Sequence, residues 1–305
     1  MKKLAAAMMA CALCMSVLAG CGDKAQEAAP TEATNHAEGE AAPVENDAET
    51  ANENEADAAG DGSAENGQAD GDGAVAQALE DGVLNVGTNA EFPPFEYVND
   101  DGEPDGFDIA LIKAIGEKLG VEVQVDNMEF ASLVSSIGSK IDVSIAGMTV
   151  TEERQQTVDF SDSYYEAVQY VIVPADAAIA TADDLKGKAI GVQLGTTGDF
   201  IAEEIEGATV SQYNKGVDAV NDLINGRVDC VIIDKNPALV FQSKFEGEVT
   251  AIDGAEFGFE VENYAIALPK GDTVLAGQIN AALKEIKEDG AFDALVAEYI
   301  EGSNE

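Results

Sequence analysis

Positive charge is scarce in this sequence. Its 305 residues include 16 Lys and Arg side chains against 59 Asp and Glu side chains, which gives a formal net charge of -43. Arginine is much rarer than lysine and occurs only at Arg154 and Arg227. A nucleic-acid binder needs a basic face, so this charge balance excludes that class of protein.

Histidine and cysteine are nearly absent from the body of the chain. The single histidine, His36, lies in a polar stretch, so the body has no His-based catalytic triad and no His metal ligand. Three cysteines (Cys11, Cys14 and Cys21) fall at the N-terminus, which leaves Cys230 alone in the body and excludes an intrachain disulfide framework there. We accordingly expect no catalytic residue, no metal and no cofactor.

The N-terminus has the pattern of an export signal. Two lysines precede an apolar stretch at 4–19, which is shorter than the roughly 20 residues of a membrane-spanning helix but suits a signal peptide. Small residues then precede Cys21, a pattern that resembles the bacterial lipobox. We predict a signal peptide at 1–20 and a lipid such as palmitate on Cys21; the alternative is plain signal cleavage with Cys21 unmodified. No later segment approaches a membrane span, so we expect an extracytoplasmic protein that its lipid anchors to the cell membrane.

The next segment has the composition of a spacer. Residues 22–80 are rich in Ala, Glu, Asp, Gly and Asn, and nearly lack large apolar side chains. Such a segment cannot bury enough apolar surface to offset the entropy of ordering. We therefore expect 21–80 to be a lipidated, disordered acidic tether that holds a folded domain near a membrane.

Strand-like and helix-like segments alternate from residue 81 onward. Short apolar runs predict strands at 83–87, 121–125, 141–146, 189–192 and 229–233. Apolar residues at helical spacing predict helices at 106–119, 132–137, 199–205, 217–225, 273–288 and 291–300. Strands separated by helices favour an α/β fold with mostly parallel sheets.

The body contains an internal echo. Residues 136–147 align with residues 223–234: each segment reads as a helix end, a small residue, a base, a β-branched residue, an aspartate and an apolar strand. Together with the repeated order of strands and helices, the echo suggests two similar lobes. It aligns Gly147 with Asp234, each at the carboxyl end of a strand, where open α/β sheets bind their ligands.

Polar and small residues gather where the predicted strands end. They are Asn89 after the first strand, Gly147, Met148 and Thr149 after the third, Gln193, Thr196 and Thr197 at the start of the second half, and Asp234 after the last. The turn at 195–198 opens a predicted helix, and the N–H groups of a helix N-terminus suit an anion. Such turns are also common in proteins without any ligand, so the turn alone is a weak signal.

Arg154 and Asp234 each allow two interpretations. The planar fork of Arg154 can hold a carboxylate with two bonds, or it can form a surface ion pair with Glu152 or Asp159. Asp234 ends an apolar strand, where it can meet an ammonium group, cap the helix that follows, or do both.

Four motifs carry a resemblance to a known family. They are TNAEFPPFEY at 88–97, GFDI at 106–109, AGMTVTEER at 146–154 and DFSDSYY at 159–165. In this order they resemble the polar amino-acid family of ABC-transporter solute-binding proteins, over about residues 82–301. The resemblance implies two Rossmann-like α/β lobes joined by a two-strand hinge, the periplasmic-binding-protein type II fold. The large lobe would take 81–164 and 264–305, and the hinge strands and small lobe would take 165–263.

The resemblance also implies how the two ends of an amino acid are held. Arg154 would grip the α-carboxylate, helped by Thr149 and by the turn at Thr196. Asp234 would pair with the α-ammonium group, and the carbonyl of Gly147 would accept a second bond from it.

The side chain of the ligand would lie between Phe92 and Phe130, which the sequence alone leaves as either core or cleft residues. Asn89 and Gln193 would read its polar end. Some relatives have an aspartate at the position of Asn89, so a neutral Asn89 leaves the ligand open between a polar neutral and a cationic amino acid. A dicarboxylic ligand is disfavoured, because the matched positions hold no second base. The remaining predicted binding residues are Ala146, Met148 and Thr197.

The mechanism that the resemblance implies is closure of the two lobes on a free amino acid, followed by recognition of the closed form by an ABC permease in the membrane. This mechanism needs no covalent chemistry, so we expect a monomeric binding protein and not an enzyme. The alternatives are a dehydratase-like enzyme on the same fold and a ligand-sensing protein that acts with a membrane sensor.

Overall fold

The computed structural model describes residues 76–302. The predicted signal peptide, Cys21 and nearly all of the predicted tether lie outside the described residues. The last five residues assigned to the tether are folded, which corrects that boundary: Gln77–Leu79 form a 3-10 turn, and the side chains of Ala76 and Leu79 are buried. The N–H group of Ala76 also donates to Oε1 of Gln278 at 3.1 Å. Two apolar side chains that pack on the core are enough to start the fold before residue 81.

The described chain alternates strands and helices, as the sequence predicts. Its strands are Val83–Thr88 (β1), Glu91–Phe92 (β2), Glu96–Val98 (β3), Pro104–Asp105 (β4), Glu122–Asn127 (β5), Val143–Ser144 (β6), Val158–Phe160 (β7), Tyr165–Pro174 (β8), Ala189–Gln193 (β9), Thr209–Tyr213 (β10), Cys230–Asp234 (β11), Val249–Asp253 (β12), Val261–Tyr264 (β13) and Ala267–Pro269 (β14). Its helices are Phe107–Leu119 (α1), Leu133–Ser136 (α2), Glu152–Gln155 (α3), Thr197–Glu204 (α4), Gly216–Ile224 (α5), Lys235–Lys244 (α6), Thr273–Glu288 (α7) and Ala291–Leu295 (α8), with a π-helical turn at Val296–Glu301.

These strands form two large sheets of similar design. The first has the order β5-β1-β6-β14-β7, and the second has the order β10-β9-β11-β8-β12, with β13 paired to β8. In each sheet, three parallel strands are followed by an antiparallel one: β14 beside β6 in the first sheet and β8 beside β11 in the second. Each sheet is therefore mostly parallel in strand direction, as expected, but mixed, because β14 and β8 run against their neighbours on both sides. The echo is also confirmed, since its two copies contribute the equivalent strands β6 and β11.

Several short elements are absent from the sequence prediction. A small sheet of β2, β3 and β4 lies between β1 and α1, and β7, β10, β12 and α6 were not predicted. The strands β2, β3, β4 and β7 have only two or three residues each, too few to show an alternating pattern. The strand predicted at 141–146 is reduced to β6, because Ile141 pairs with Ile137 in a separate bridge. The two chain crossings between the sheets use β8 and β13.

Helix α1 illustrates why the predicted periodicity works. Its buried side chains follow the helical repeat and include Phe107, Leu111 and Ile115. The helix ends at Gly120, whose φ of 72° is left-handed and which therefore suits glycine. This buried face packs on α7 and shares one core with β1 and β6.

Two carboxyl groups lie inside this core. The side chains of Glu96 and Asp108 are fully buried, and three of their four oxygens have no hydrogen-bond donor among residues 76–302. The fourth, Oδ2 of Asp108, accepts from the N–H group of Gly147 at 2.7 Å and from the hydroxyl of Tyr164 at 2.8 Å. Burial, together with the charge of Asp108, raises the pKa of Glu96 well above its usual range. Burial also raises the pKa of Asp108, and its two donors oppose that shift.

Because both pKa values are raised on folding, the folded protein keeps protons that the unfolded chain releases above about pH 4. This contribution to stability is present in full below the unfolded pKa values and is lost as pH rises through the folded ones. We expect Glu96→Gln to raise the melting temperature at about pH 8 by roughly 2–4 °C, since an amide N–H can donate to Asp108 without releasing a charge. It should also flatten the fall in melting temperature between about pH 5 and pH 8.

The matched control is Glu103→Gln, which removes the same charge from an exposed turn. A Glu96→Gln protein that melts no higher than the wild type at the alkaline end, with an unchanged pH slope, would contradict the raised pKa values of these two carboxyl groups.

Candidate functional site

A small cavity lies at the carboxyl ends of β1, β6, β9 and β11. Eleven of the twelve residues predicted to bind a ligand line it: Asn89, Phe92, Phe130, Ala146, Gly147, Thr149, Arg154, Gln193, Thr196, Thr197 and Asp234. The structure therefore brings together residues from both sheets that are far apart in the sequence.

Met148 is the exception and corrects the prediction. Its side chain is fully buried and packs in an apolar cluster with Leu133, Ile141 and Val158, away from the cavity lining. Its neighbours Gly147 and Thr149 line the cavity, whereas the side chain of Met148 lies in this apolar cluster.

The guanidinium group of Arg154 is buried at the cavity wall. Its Nη1 donates to the carbonyl of Thr149 at 2.6 Å, and its Nη2 donates to the carbonyl of Gly195, on the other half of the chain, at 3.0 Å. The group also lies 5.4 Å from the centre of the Phe130 ring. Asp159 pairs instead with Lys270 at 2.6 Å, and Arg154 has no ion pair within the described residues. The surface ion pair considered for Arg154 is therefore wrong.

Local structure places Arg154 there. Thr151 caps the short helix α3, and its hydroxyl accepts from the N–H group of Arg154 at 3.2 Å. Burial lowers the pKa of Arg154, while the nearby charges of Glu262 and Asp234 oppose that shift. A buried guanidinium with three of its five N–H groups unused by these carbonyls can still bind a carboxylate.

The first turn of α4 adds donors on the opposite wall. Thr196 is the N-cap, and its hydroxyl donates to the carbonyl of Gln193 at 2.8 Å and accepts from the N–H group of Asp199. The N–H groups at the start of a helix have no partner within the helix, so Thr197, which lines the cavity, has a free N–H group there. With Arg154 opposite, this part of the cavity suits an anionic group.

Asp234 lies in the same cavity as Arg154 and is 6% exposed. It precedes α6 but makes no side-chain capping bond, so the capping interpretation is wrong. The hydroxyl of Tyr264 donates to its Oδ1. Burial, and then the charge of Glu262, raise the pKa of Asp234 to about 7. A carboxyl group held this way gains most from a cationic partner.

Gly147 forms the floor between these charges. Its φ of 52° is left-handed, and a Cβ atom there would lie 2.9 Å from the ring of Phe92, so glycine is required. The bond from its N–H group to Asp108 holds this conformation.

Asn89 and Gln193 meet across the cavity. Nε2 of Gln193 donates to Oδ1 of Asn89 at 2.8 Å and to the carbonyl of Asn214 at 3.2 Å. Nδ2 of Asn89 donates to the carbonyl of Met128 at 2.8 Å. The two amides therefore link the two halves of the chain at the end of the cavity where the prediction places the ligand side chain.

Sequence reasoning missed Glu262. Its Oε2 accepts from the hydroxyl of Thr149 at 2.6 Å and from the hydroxyl of Thr197 at 2.8 Å, so one carboxylate joins both walls. Glu262 lies on β13, two residues before the buried Tyr264. Alternation along the strand would have placed both side chains on one face, and this was the available signal.

Two further observations concern other kinds of site. Among residues 76–302, no helix has the length and apolar character to cross a membrane. Over the same residues, no group of three or more His, Cys, Asp or Glu side chains is arranged to hold a metal ion.

Known proteins share this chain's sequence and fold. The sequence model for bacterial extracellular solute-binding proteins of family 3 matches residues 84–302. The arginine-binding extracellular protein ArtP of Bacillus subtilis is 36% identical over 224 residues, which cover 72% of this chain and 86% of ArtP. A probable histidine-binding protein of Neisseria gonorrhoeae is 32% identical, over 75% of this chain and 88% of that protein. The solved structure of an ancestral arginine-binding protein bound to arginine has a TM-score of 0.68 at 40% identity, and covers 72% of this chain and 98% of that one.

These relatives are named as binding proteins and not as enzymes, in agreement with the sequence prediction. The two-sheet α/β architecture agrees with the predicted periplasmic-binding-protein type II fold. The family match spans almost all of the described residues. The chain therefore belongs to the bacterial extracellular solute-binding proteins of family 3.

Proposed function

We propose that this protein captures a free polar amino acid between two closing lobes and delivers it to an ABC importer. The observation that carries the proposal is that Arg154 and Asp234 line one small, buried cavity. Every free amino acid carries a carboxylate and an ammonium group close together. A guanidinium with unused donors and a carboxyl that lacks a cationic partner are the complement of that pair.

The relatives support an amino acid as the ligand. ArtP is named for arginine, the Neisseria protein for histidine, and the ancestral protein is bound to arginine. In this chain, the aromatic rings of Phe92 and Phe130 and the amides of Asn89 and Gln193 line the remaining wall. A polar side chain that needs both apolar contact and hydrogen bonds fits such a wall.

The proposed mechanism is closure of two lobes about the strands β8 and β13. We assign 81–164 with 264–305 to the large lobe and 165–263 to the small one. Several contacts then bridge the cleft, among them Arg154 to Gly195 at 3.0 Å, Gln193 to Asn89 at 2.8 Å, and Lys215 to Glu91 at 2.5 Å. A ligand that touches both walls gains its full set of contacts only when the lobes are closed, so it favours that state.

The remaining parts of the proposal concern delivery. The lipid on Cys21 would anchor the protein to the membrane, and the tether would let the monomeric domain search near the permease. Replacing Cys21 with Ser should release the exported protein from the membrane fraction, because the sulfur that carries the lipid is lost. Metabolic labelling with a palmitate analogue and cell fractionation would check this, and a Cys21→Ser protein that stays labelled and membrane-bound would contradict a lipid on that residue.

A thermal-shift screen of the folded protein against the twenty amino acids plus ornithine, citrulline and cystine tests the function. A ligand at 100 times its dissociation constant should add about 2.7 kcal/mol of stability. Failure of every amino acid to raise the melting temperature would overturn the proposal.

Arg154→Ala should raise the dissociation constant of the ligand found in that screen by at least about 30-fold, since it removes one partner of a buried charge pair. Isothermal titration calorimetry would measure the loss, and the melting temperature without ligand would confirm folding. The matched control is Arg227→Ala, which removes the other arginine, an exposed side chain paired with Asp222. Equal affinity in the two variants would place the carboxylate elsewhere.

Affinity should also depend on the ionisation of Asp234. Its raised pKa means that it is protonated below about pH 7 and must lose that proton to pair with an ammonium group. The dissociation constant should therefore rise about tenfold for each pH unit below 7 and level off above it. Because Glu96 and Asp108 titrate nearby, Asp234→Asn isolates the effect: it should bind weakly and lose this slope, whereas Asp218→Asn on the exposed face of α5 should keep it. A slope that survives in Asp234→Asn would contradict the assignment.

A further inference from the structure

We infer that the polar side chains around the cavity are locked as hydrogen-bond acceptors, so that the ligand is an amino acid with a cationic, donor-rich side chain. This inference rests on the proposed function and names the substrate class of the same site. It starts from the way in which fixed neighbours decide the direction of each hydrogen bond.

The amides of Asn89 and Gln193 have a fixed orientation. An amide oxygen and nitrogen have nearly the same shape, so only their partners show which is which. The partners here are the backbone carbonyls of Met128 and Asn214, which can only accept. Each amide must therefore turn its nitrogen toward its carbonyl, and the bond from Gln193 to Oδ1 of Asn89 is consistent with both orientations.

In this orientation most N–H groups of the two amides are already bonded within the protein, whereas most of their oxygen lone pairs are free. The two amides have four N–H groups, and three of these donate hydrogen bonds, to Oδ1 of Asn89 and to the carbonyls of Met128 and Asn214. Their two oxygens have four lone pairs, and only one of these, on Oδ1 of Asn89, accepts a hydrogen bond. No donor within residues 76–302 reaches Oε1 of Gln193. The side-chain end of the cavity is therefore mainly an acceptor surface.

Glu262 imposes the same polarity on two hydroxyls. Thr149 and Thr197 each have one hydroxyl proton, and both hydroxyls donate it to Oε2 of Glu262. A hydroxyl that has donated its proton can only accept from a ligand. The donors that remain for a carboxylate are therefore Arg154 and backbone N–H groups, and the hydroxyl of Thr149 is not one of them.

Formal charge points the same way. The guanidinium of Arg154 faces two acids, Asp234 and Glu262, and Glu262 has no ion pair in the described part of the chain. The carboxylate and ammonium groups of any amino acid balance Arg154 and Asp234, which leaves the charge of Glu262. A cationic side chain offsets it, and the rings of Phe92 and Phe130 can stack on a guanidinium or ammonium group.

Other polar ligands fit this wall less well. The carboxylate of glutamate would face acceptors and a net negative charge. Citrulline has nearly the shape of arginine but replaces one donor group with a carbonyl, which would meet Oε1 of Gln193 or Oδ1 of Asn89. Buried polar groups without a matching partner are the basis of strong discrimination between ligands of equal shape.

The first test compares arginine, lysine and citrulline with the wild-type protein by calorimetry. We expect arginine or lysine to bind at least about 30-fold more tightly than citrulline. Citrulline or glutamate that binds as tightly as either cation would overturn the inference and leave the proposed function intact, as would a protein that binds only other amino acids. A protein that binds no amino acid in the thermal-shift screen would remove the proposed function itself.

The second test uses the ratio of citrulline to arginine dissociation constants, which a merely structural defect would leave unchanged. Gln193→Met keeps the shape and removes the acceptor, so the ratio should fall at least about tenfold. Glu262→Gln removes the charge but keeps an acceptor for the hydroxyls, and the ratio should fall at least about threefold.

The matched control for the second variant is Glu260→Gln, an exposed residue on the same stretch of chain, whose ratio should equal that of the wild type. If one variant does not fold, the other still decides. An unchanged ratio in the folded variants would overturn the inference.

Discussion

The buried guanidinium of Arg154 is the constraint on which the site depends. It cannot be left without acceptors in a low-dielectric interior, and the structure supplies the carbonyls of Thr149 and Gly195, one from each half of the chain. Those carbonyls hold the fork at the cavity wall and draw the two halves together. Asp234 and Glu262 then lie close enough for their charges to oppose the effect of burial on Arg154. One base thus links the two halves of the chain at the cavity where its charge meets those of both acids.

The sequence predicts the architecture well because its signals are periodic or local. The helix at α1 shows both an apolar repeat and a glycine stop, and the echo between 136–147 and 223–234 marks equivalent strands in two sheets of equal order. The one antiparallel strand in each sheet was not predicted, for a physical reason. Strand direction at β14 and β8 is set by where the chain crosses between the halves, and no residue pattern within either strand records it.

The site shows the same division between local and distant information. Eleven predicted residues line one cavity, because the strand ends and the four family motifs indicate which positions lie near a ligand site. The role of each residue toward a ligand stays a prediction. What the sequence does not contain is the direction of each hydrogen bond. Gln193 is a donor toward Asn89 only because the carbonyl of Asn214 is its neighbour, and Thr149 is an acceptor only because Glu262 takes its proton. These partners are between 21 and 113 residues away in the chain.

The surplus of acids around one arginine connects selectivity with stability. Asp234 loses hydration on burial without gaining a cation from the described residues, and its raised pKa expresses that cost. A ligand with an ammonium group for Asp234 and a further positive charge for Glu262 would offset the free-energy cost of burying these carboxyls. On the proposed function, the same carboxyls that would reject an acidic ligand would weaken the fold and strengthen the capture of a cation. Replacing them with apolar residues would be expected to stabilise the protein and remove its preference, which is the trade-off found where binding groups are buried without partners of their own.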